Sequence, residues 1–302
     1  MKKICVIISA LLVLSGLCLG LAGCGDKEAA VGSGAIFQLE DYPRVDGSTA
    51  NLPMMSHIMA KTCGISEEQA ERLTSCRKTS GAWLALANGE ADLLLVYEAS
   101  EGTKRELAEI GTELDITPIG RDALVFIVNE ANPVQSLSRE QLVDIYTGKI
   151  TNWSEVGGAD MPIVAFQRPE ASGSQSLFMK LLMQDAAPMD PPKEFRPSEM
   201  GDLIEELASY NNSADALGYS VFYYASYMYT QPGLRFVAVD GVIPSDETIA
   251  DGSYPLLNEY YLAVRAEDLQ NNEDNGAKRL REWILADEGQ AAIREAGYIP
   301  LD

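Results

Sequence analysis

The sequence predicts an α/β fold, because short apolar runs typical of strands alternate with segments of helical periodicity along the chain. In such folds mostly parallel sheets are covered by helices on both faces. About 280 of the 302 residues remain once a leader is removed, which exceeds one ordinary domain, so we expect two lobes. The predicted strands span residues 91–96, 124–129, 163–166, 217–219, 234–239 and 260–264.

The first 23 residues have the pattern of a secretory signal peptide. Lys2 and Lys3 precede an uncharged run of 18 residues, and Leu-Ala-Gly-Cys follows at 21–24. This tetrapeptide looks like the lipobox of bacterial lipoproteins, in which the cysteine is diacylated and becomes the first mature residue. The apolar run would also be long enough to span a bilayer as an anchor. Both readings place the rest of the chain outside the cytoplasm, and we favour lipidation at Cys24, because residues 24–35 then form a short flexible tether.

Helix signals lie between the predicted strands. Ser66 with Gln69, and Ser138 with Gln141, fit capping boxes, and Gly148 stands where the second of these helices would end. Helical periodicity continues at residues 201–210 and 277–296.

One segment is typical of a cradle for a small oxyanion. Arg168 precedes a Ser-Gly-Ser turn at 172–174, which leads into an apolar run rich in helix formers. The first turn of a helix offers backbone N–H groups without internal partners and carries partial positive charge. Gly173 permits close approach of the backbone, and the Arg168 fork can bond two oxygens. The alternative is an ordinary serine N-cap with a surface arginine upstream.

The charge of the chain limits its partners. The formal net charge is −22, and removing residues 1–23 takes away only two lysines, which leaves 21 basic against 45 acidic side chains and a net charge of −24. Nucleic acid and anionic lipid surfaces require a basic footprint, so the charge disfavours both as partners. A small anion in a buried site is not excluded, because local donors govern such a site.

Two cysteines, Cys63 and Cys76, remain in the mature chain besides Cys24. Outside the cell a disulfide between them would persist and would stabilise the fold by roughly 3 kcal/mol. The alternative is two buried free thiols.

Neither catalysis nor a cofactor is indicated. His57 is the single histidine of the chain, and no GxSxG, HExxH, Walker A or CxxC motif is present. We therefore expect a protein that is not an enzyme and that binds neither a metal nor a cofactor.

Four blocks resemble the phosphate-binding subunit of bacterial high-affinity phosphate importers of the ABC type: DALVFIVN at 122–129, NPV at 132–134, IYTGKITNW at 145–153 and VGG at 156–158. The Arg168 segment follows at the distance found in that family. Upstream, DGSTA at 46–50 matches its first anion-binding loop, and weaker matches extend the resemblance over residues 43–302.

This resemblance implies a two-lobed periplasmic-binding-protein fold of type 2, with the ligand in the cleft between the lobes. Residues 36–123 and 234–302 would form the first lobe, and residues 124–233 the second. The implied ligand-binding residues are Ser48, Thr49, Ala50, Ser80, Arg168, Ser172, Gly173 and Ser174.

The chain departs from the family where an acid commonly accepts the proton of hydrogen phosphate. The segment DLLLVYEAS at 92–100 has no aspartate at the matching place, and we assign the role to Glu98. If Glu98 lies elsewhere, sulfate-like or molybdate-like anions become more plausible ligands.

The resemblance thus implies a monomeric lipoprotein that captures inorganic phosphate and delivers it to separate permease and ATPase subunits. The alternatives are a binding protein for another small oxyanion, and a surface sensor or interaction protein built on the same scaffold.

Overall fold

The computed structural model describes residues 35–191, 196–209, 213–270 and 275–301. The predicted signal peptide, Cys24 and nearly all of the tether lie outside these residues. Within the described ranges, no helix is long and apolar enough to cross a membrane.

Strands and helices alternate along the described chain, which confirms the α/β class. The strands are β1 Val45–Gly47, β2 Leu93–Val96, β3 Leu114–Asn129, β4 Ser136–Leu137, β5 Val164–Ala165, β6 Ala216–Val221, β7 Leu234–Val239, β8 Leu257–Arg265 and β9 Ile299–Pro300. The helices are α1 Leu52–Cys63, α2 Glu67–Leu73, α3 Lys78–Ala87, α4 Glu101–Ile110, α5 Arg139–Tyr146, α6 Gly173–Leu177, α7 Met200–Ser209, α8 Asp246–Ala250, α9 Ala266–Gln270, α10 Gly276–Leu285 and α11 Asp287–Glu295.

The long strand β3 joins two groups of strands. Its first part pairs with β8 as far as Ala123, and from Leu124 onward it pairs with β6 and β7. We call β1, β2, β8, β9 and residues 114–123 the first half-sheet, and β4 to β7 with residues 124–129 the second half-sheet. The change of partners falls at residue 124, where the sequence places the start of the second lobe. β7 was assigned to the first lobe but pairs in the second half-sheet, so we propose that the second lobe extends through Val239.

The expectation of mostly parallel sheets is wrong. Among the described strands, β1–β2, β4–β7 and β5–β6 are parallel, whereas β3 is antiparallel to all four of its partners and β8 is antiparallel to β2. Apolar runs reveal that a segment is a buried strand, but they carry no information on its direction.

The predicted helix caps are present. The Ser138 hydroxyl accepts from the N–H of Gln141, and the Gln141 side chain accepts from the N–H of Ser138. Gly148 follows α5 with φ of 77°, a left-handed conformation that favours glycine at a helix end. The Ser66 hydroxyl accepts from the N–H of Gln69 and caps α2.

The predicted disulfide is not formed, because Cys63 and Cys76 lie at opposite ends of α1. Cys63 is the last residue of α1, whereas the Cys76 sulfur is 4.0 Å from the hydroxyl of Thr49, just before the helix begins. A helix of that length spans about 17 Å, and a disulfide requires Cα atoms within about 7 Å. Both cysteines are free thiols, and burial raises the pKa of Cys63 to about 11.

Candidate functional site

A cavity of about 270 Å³ lies where five segments of the chain meet, one of which contributes only Tyr97. Its walls come from residues 48–50 before α1, the first residues of α3, the loop 168–173 and the residues 198–200 that lead into α7. Of the predicted site residues, six line this cavity: Ser48, Thr49, Ala50, Arg168, Ser172 and Gly173.

The first wall is held in place by hydrogen bonds of Ser48. Its hydroxyl accepts from the backbone N–H of Tyr97 at 3.0 Å and shares a hydrogen bond with the hydroxyl of Thr79 at 2.9 Å. Since Ser48 directly follows β1 and Tyr97 directly follows β2, the parallel pairing of these strands brings the two loops together. Thr49 and Ala50 then present the start of a helical segment to the cavity, where backbone N–H groups lack internal partners.

The second wall contains Thr79 in place of the predicted Ser80. Thr79 is buried and lines the cavity, whereas the Ser80 hydroxyl donates to the carbonyl of Ala171 at 3.1 Å and accepts from Thr103. Consecutive residues of a helix point about 100° apart, so only one of two adjacent hydroxyl side chains faces a given cavity. The assignment of Ser80 to the cavity is therefore corrected to Thr79.

The third wall is the Ser-Gly-Ser turn. A Cβ atom at Gly173 would lie 2.5 Å from the Thr79 hydroxyl oxygen, so glycine is what allows this turn to approach α3 closely. Ser172 lines the cavity, but Ser174 is fully buried, does not line it and hydrogen-bonds to the Ser172 hydroxyl at 3.0 Å. Ser174 thus supports the turn from behind.

Arg168 contributes a buried guanidinium, and one of its three nitrogens has no hydrogen-bond partner among the described residues. Its Nε donates to the carbonyl of Pro197 at 3.0 Å and its Nη2 to the carbonyl of Ser198 at 2.8 Å. Its Nη1 is buried and has no hydrogen-bond partner among the described residues. Burial lowers the pKa of Arg168 from its usual value, although nearby acids and tyrosines oppose this shift. A buried cationic donor without a partner is costly, and an anion in the cavity would satisfy it.

Glu98 does not line this cavity, contrary to the expectation. It lies in a second cavity of about 620 Å³, which Arg168 also lines, and accepts from the ammonium of Lys104 at 2.8 Å and from that of Lys180. Burial tends to raise the pKa of Glu98, but these two lysines hold it below its ordinary value. Because successive side chains of an extended segment point to opposite sides, Tyr97 faces the anion cavity and Glu98 points away.

Tyr97 links the cavity wall to a buried carboxylate that the sequence did not single out. The Tyr97 hydroxyl donates to Asp122 at 2.5 Å, and Asp122 also accepts from the N–H groups of Ala123 and Tyr223. Burial raises the pKa of Asp122 to about 6, although the hydrogen bonds from Tyr97 and the backbone lower it. Asp122 lies on β3 two residues before the strand changes partners at Leu124.

Two charged residues of the cavity were also missed. Lys78 and Glu199 both line it, and the Lys78 ammonium donates to Glu199 at 2.5 Å across 121 positions of sequence. Nothing in the sequence pairs these residues, because both lie in polar stretches without a motif. Of the carboxylates in the described ranges, Glu199 is the one that lines the cavity.

The remaining titratable clusters do not form a metal site. Within the described residues, no group of three or more histidine, cysteine, aspartate or glutamate side chains is arranged to hold a metal ion. His57 pairs with Glu67, with 2.8 Å between Nδ1 and the carboxylate oxygen, and this contact ties α1 to α2.

The family model and the similar proteins point to the same family. The family model described as the PBP superfamily domain matches residues 38–288. The phosphate-binding protein PstS of Staphylococcus epidermidis is 25% identical over 92% of this chain and 84% of its own length. PstS of Bacillus subtilis is 28% identical over 59% of this chain, and the match spans 56% of that protein.

Solved structures agree with these relatives. A phosphate ABC transporter substrate-binding protein from Clostridium perfringens, solved with bound phosphate, matches with a TM-score of 0.64 and 25% identity over 85% of this chain and 98% of that one. An ABC-type phosphate transport receptor from Vibrio cholerae matches with a TM-score of 0.61 and 23% identity over 84% of this chain and 98% of that one, which supports the fold. The resemblance found in the sequence is confirmed.

Proposed function

This chain belongs to the PBP superfamily, and we propose that it captures inorganic phosphate outside the cytoplasm and delivers it to an ABC importer. The relatives named above are phosphate-binding proteins, and the Clostridium perfringens structure holds phosphate. These relatives are binding proteins, and their similarity to this chain supports a role in binding rather than in catalysis.

The observation that carries the proposal is the unpartnered Nη1 of Arg168 at a cavity lined by helix starts from both half-sheets. Backbone N–H groups of Thr49, Ala50 and Gly173, hydroxyl groups and a guanidinium together form a donor set suited to a tetrahedral oxyanion. The N–H of Ser172 is not part of this set, because it donates to the carbonyl of Pro169 at 3.0 Å. A ligand held from both half-sheets favours a closed arrangement of two lobes, as expected for a binding protein that closes on its substrate.

Membrane attachment completes the proposal. Lipidation of Cys24 would tether the chain at the outer face of the cell membrane, and separate permease and ATPase subunits would carry out transport. The support is the leader pattern of residues 1–24 together with the similarity to phosphate importers.

A second candidate, a binding protein for sulfate or molybdate, is favoured by one observation. Glu98 lies outside the cavity, and the residue that faces it from this segment is Tyr97, whose hydroxyl proton is already donated to Asp122. The protonated form of phosphate therefore lacks the carboxylate acceptor that was expected at Glu98.

Isothermal titration with phosphate, sulfate and molybdate separates the two candidates. We expect phosphate to bind most tightly and Arg168→Ala to weaken it at least tenfold, because each hydrogen bond to a charged group contributes about 1.5–3 kcal/mol. Arg235→Ala is the matched control, since the Arg235 guanidinium also donates to backbone carbonyls but does not line the cavity. Unchanged phosphate affinity in folded Arg168→Ala would contradict the proposed site, and tighter binding of sulfate would favour the second candidate.

A further inference from the structure

The three residues 197–199 lead into α7 beside the anion cavity, which Ser198 and Glu199 line. They precede α7, which packs against β6 of the second half-sheet. Glu199 forms an ion pair with Lys78, the first residue of α3. Helix α3 packs against β1 and β2 of the first half-sheet. We call residues 197–199 the strap.

The strap holds the guanidinium that the proposed function requires. The carbonyls of Pro197 and Ser198 accept two of the Arg168 donors, at 3.0 and 2.8 Å, and this leaves Nη1 as the donor without a partner. Since the guanidinium is planar and rigid, fixing Nε and Nη2 also fixes the direction of Nη1. The strap therefore determines how Arg168 faces an anion.

The strap is itself fastened by one ion pair. The carboxylate of Glu199 accepts from the Lys78 ammonium at 2.5 Å, and both side chains are about half exposed at the wall of the cavity. Lys78 has φ of 63°, a left-handed conformation unusual for a residue with a side chain. Such backbone conformations cluster at ligand sites, where the surrounding contacts hold them in place.

We propose that Lys78 and Glu199 are positioning residues that fasten the strap over the bound anion and hold Arg168 in its binding orientation. This inference rests on the proposed function, and it assigns to the ion pair the control of how fast the anion is released. Glu199 acts through the strap and Arg168, so its negative charge strengthens retention of an anion.

The sign of this effect separates the proposal from a simple electrostatic role. A carboxylate at the wall of an anion cavity repels the ligand, so without the strap its removal would slow release. If Glu199 fastens the strap, Glu199→Gln instead speeds release. An exposed ion pair contributes up to about 1 kcal/mol, which corresponds to an expected change of about fivefold.

The experiment measures release of radiolabelled inorganic phosphate after addition of excess unlabelled phosphate, in wild type and variants of the full chain. We expect Lys78→Met and Glu199→Gln each to release phosphate about fivefold faster. The double variant should release no faster than either single variant, because both changes break the same pair. Lys149→Met, which breaks the exposed pair of Lys149 with Asp144, is the matched control and should match wild type.

Rescue by charge exchange completes the test. Lys78→Glu combined with Glu199→Lys restores an ion pair and should return the release rate to within about twofold of wild type, by the same coupling argument. Any one of three results would overturn the inference. They are slower phosphate release in Glu199→Gln, unchanged release in both single variants, and failure of the exchanged pair to restore retention. Absence of phosphate binding by the wild type would overturn the proposed function, and the inference with it.

Discussion

Asp122→Asn should change how the stability of the protein depends on pH. Asp122 is buried beside the point where β3 passes between the half-sheets, and burial raises its pKa to about 6 from the ordinary value of 3.8. Between these two values the folded protein binds more protons at this position than the unfolded chain does. The stabilising contribution of the protonated group is complete below pH 3.8 and is lost as the pH rises through about 6.

The size of the effect follows from the difference between the two pKa values. A difference of about two units corresponds to about 2 to 3 kcal/mol in the free energy of unfolding. We expect the wild type to lose this amount relative to Asp122→Asn between pH 4 and pH 7. Urea unfolding at several pH values, followed by tryptophan fluorescence, measures the difference between the two proteins at each pH.

Tyr97→Phe is the informative companion variant. The Tyr97 hydroxyl donates to Asp122 and lowers its pKa, so removing the hydroxyl should raise the pKa of Asp122 further and move the loss of stability to higher pH. If the free energies of unfolding of wild type and Asp122→Asn run parallel from pH 4 to pH 7, the reasoning on this buried carboxylate is wrong.

Three further predictions concern the walls of the cavity. Gly173→Ala should cost about 1–3 kcal/mol in the free energy of unfolding and weaken anion binding, because its Cβ would lie 2.5 Å from the Thr79 hydroxyl oxygen. Adding Thr79→Ala to this variant should recover part of both losses, as measured by urea unfolding and by titration with the anion. Lys78→Gly should be more stable to urea than Lys78→Ala by about 1 kcal/mol, since glycine adopts the left-handed conformation without strain, and equal stabilities would argue against strain there. Glu98→Gln should leave the phosphate-to-sulfate affinity ratio unchanged in a titration, because Glu98 lies outside the cavity, and a changed ratio would return it to the site.

The contiguous parts of the cavity could be predicted from sequence, because they are loops of consecutive residues leading into helices. Thr49 and Ala50 precede α1, and Ser172 and Gly173 begin α6, so a local pattern brings each donor group to the cavity. The choice between neighbours could not be made from sequence. Whether Thr79 or its neighbour faces the cavity depends on the rotation of α3 against the turn at Gly173, which is a property of packing.

Residues distant in sequence account for the rest of what was missed. The strap residue Glu199 meets Lys78 only because α7 packs on the second half-sheet and α3 on the first. The failure of the predicted disulfide has a similar origin. The spacing of Cys63 and Cys76 suits a loop, but α1 holds Cys63 at the end opposite to the one that Cys76 reaches.

The structure explains how a chain of net charge −22 can accommodate an anion. The two cations at the cavity are held by the same three residues, since the strap carbonyls accept from Arg168 and the strap carboxylate accepts from Lys78. The negative charge of Glu199 is therefore compensated by the ammonium of Lys78. The field of the other acidic side chains is screened over roughly 10 Å at ~0.1 M salt. In the proposed site, the unpartnered Nη1 of Arg168 and the helix starts would be the groups that an anion contacts. Local donors decide the sign of the potential in the cavity, so an acidic composition that disfavours polyanionic partners does not exclude a small anionic ligand.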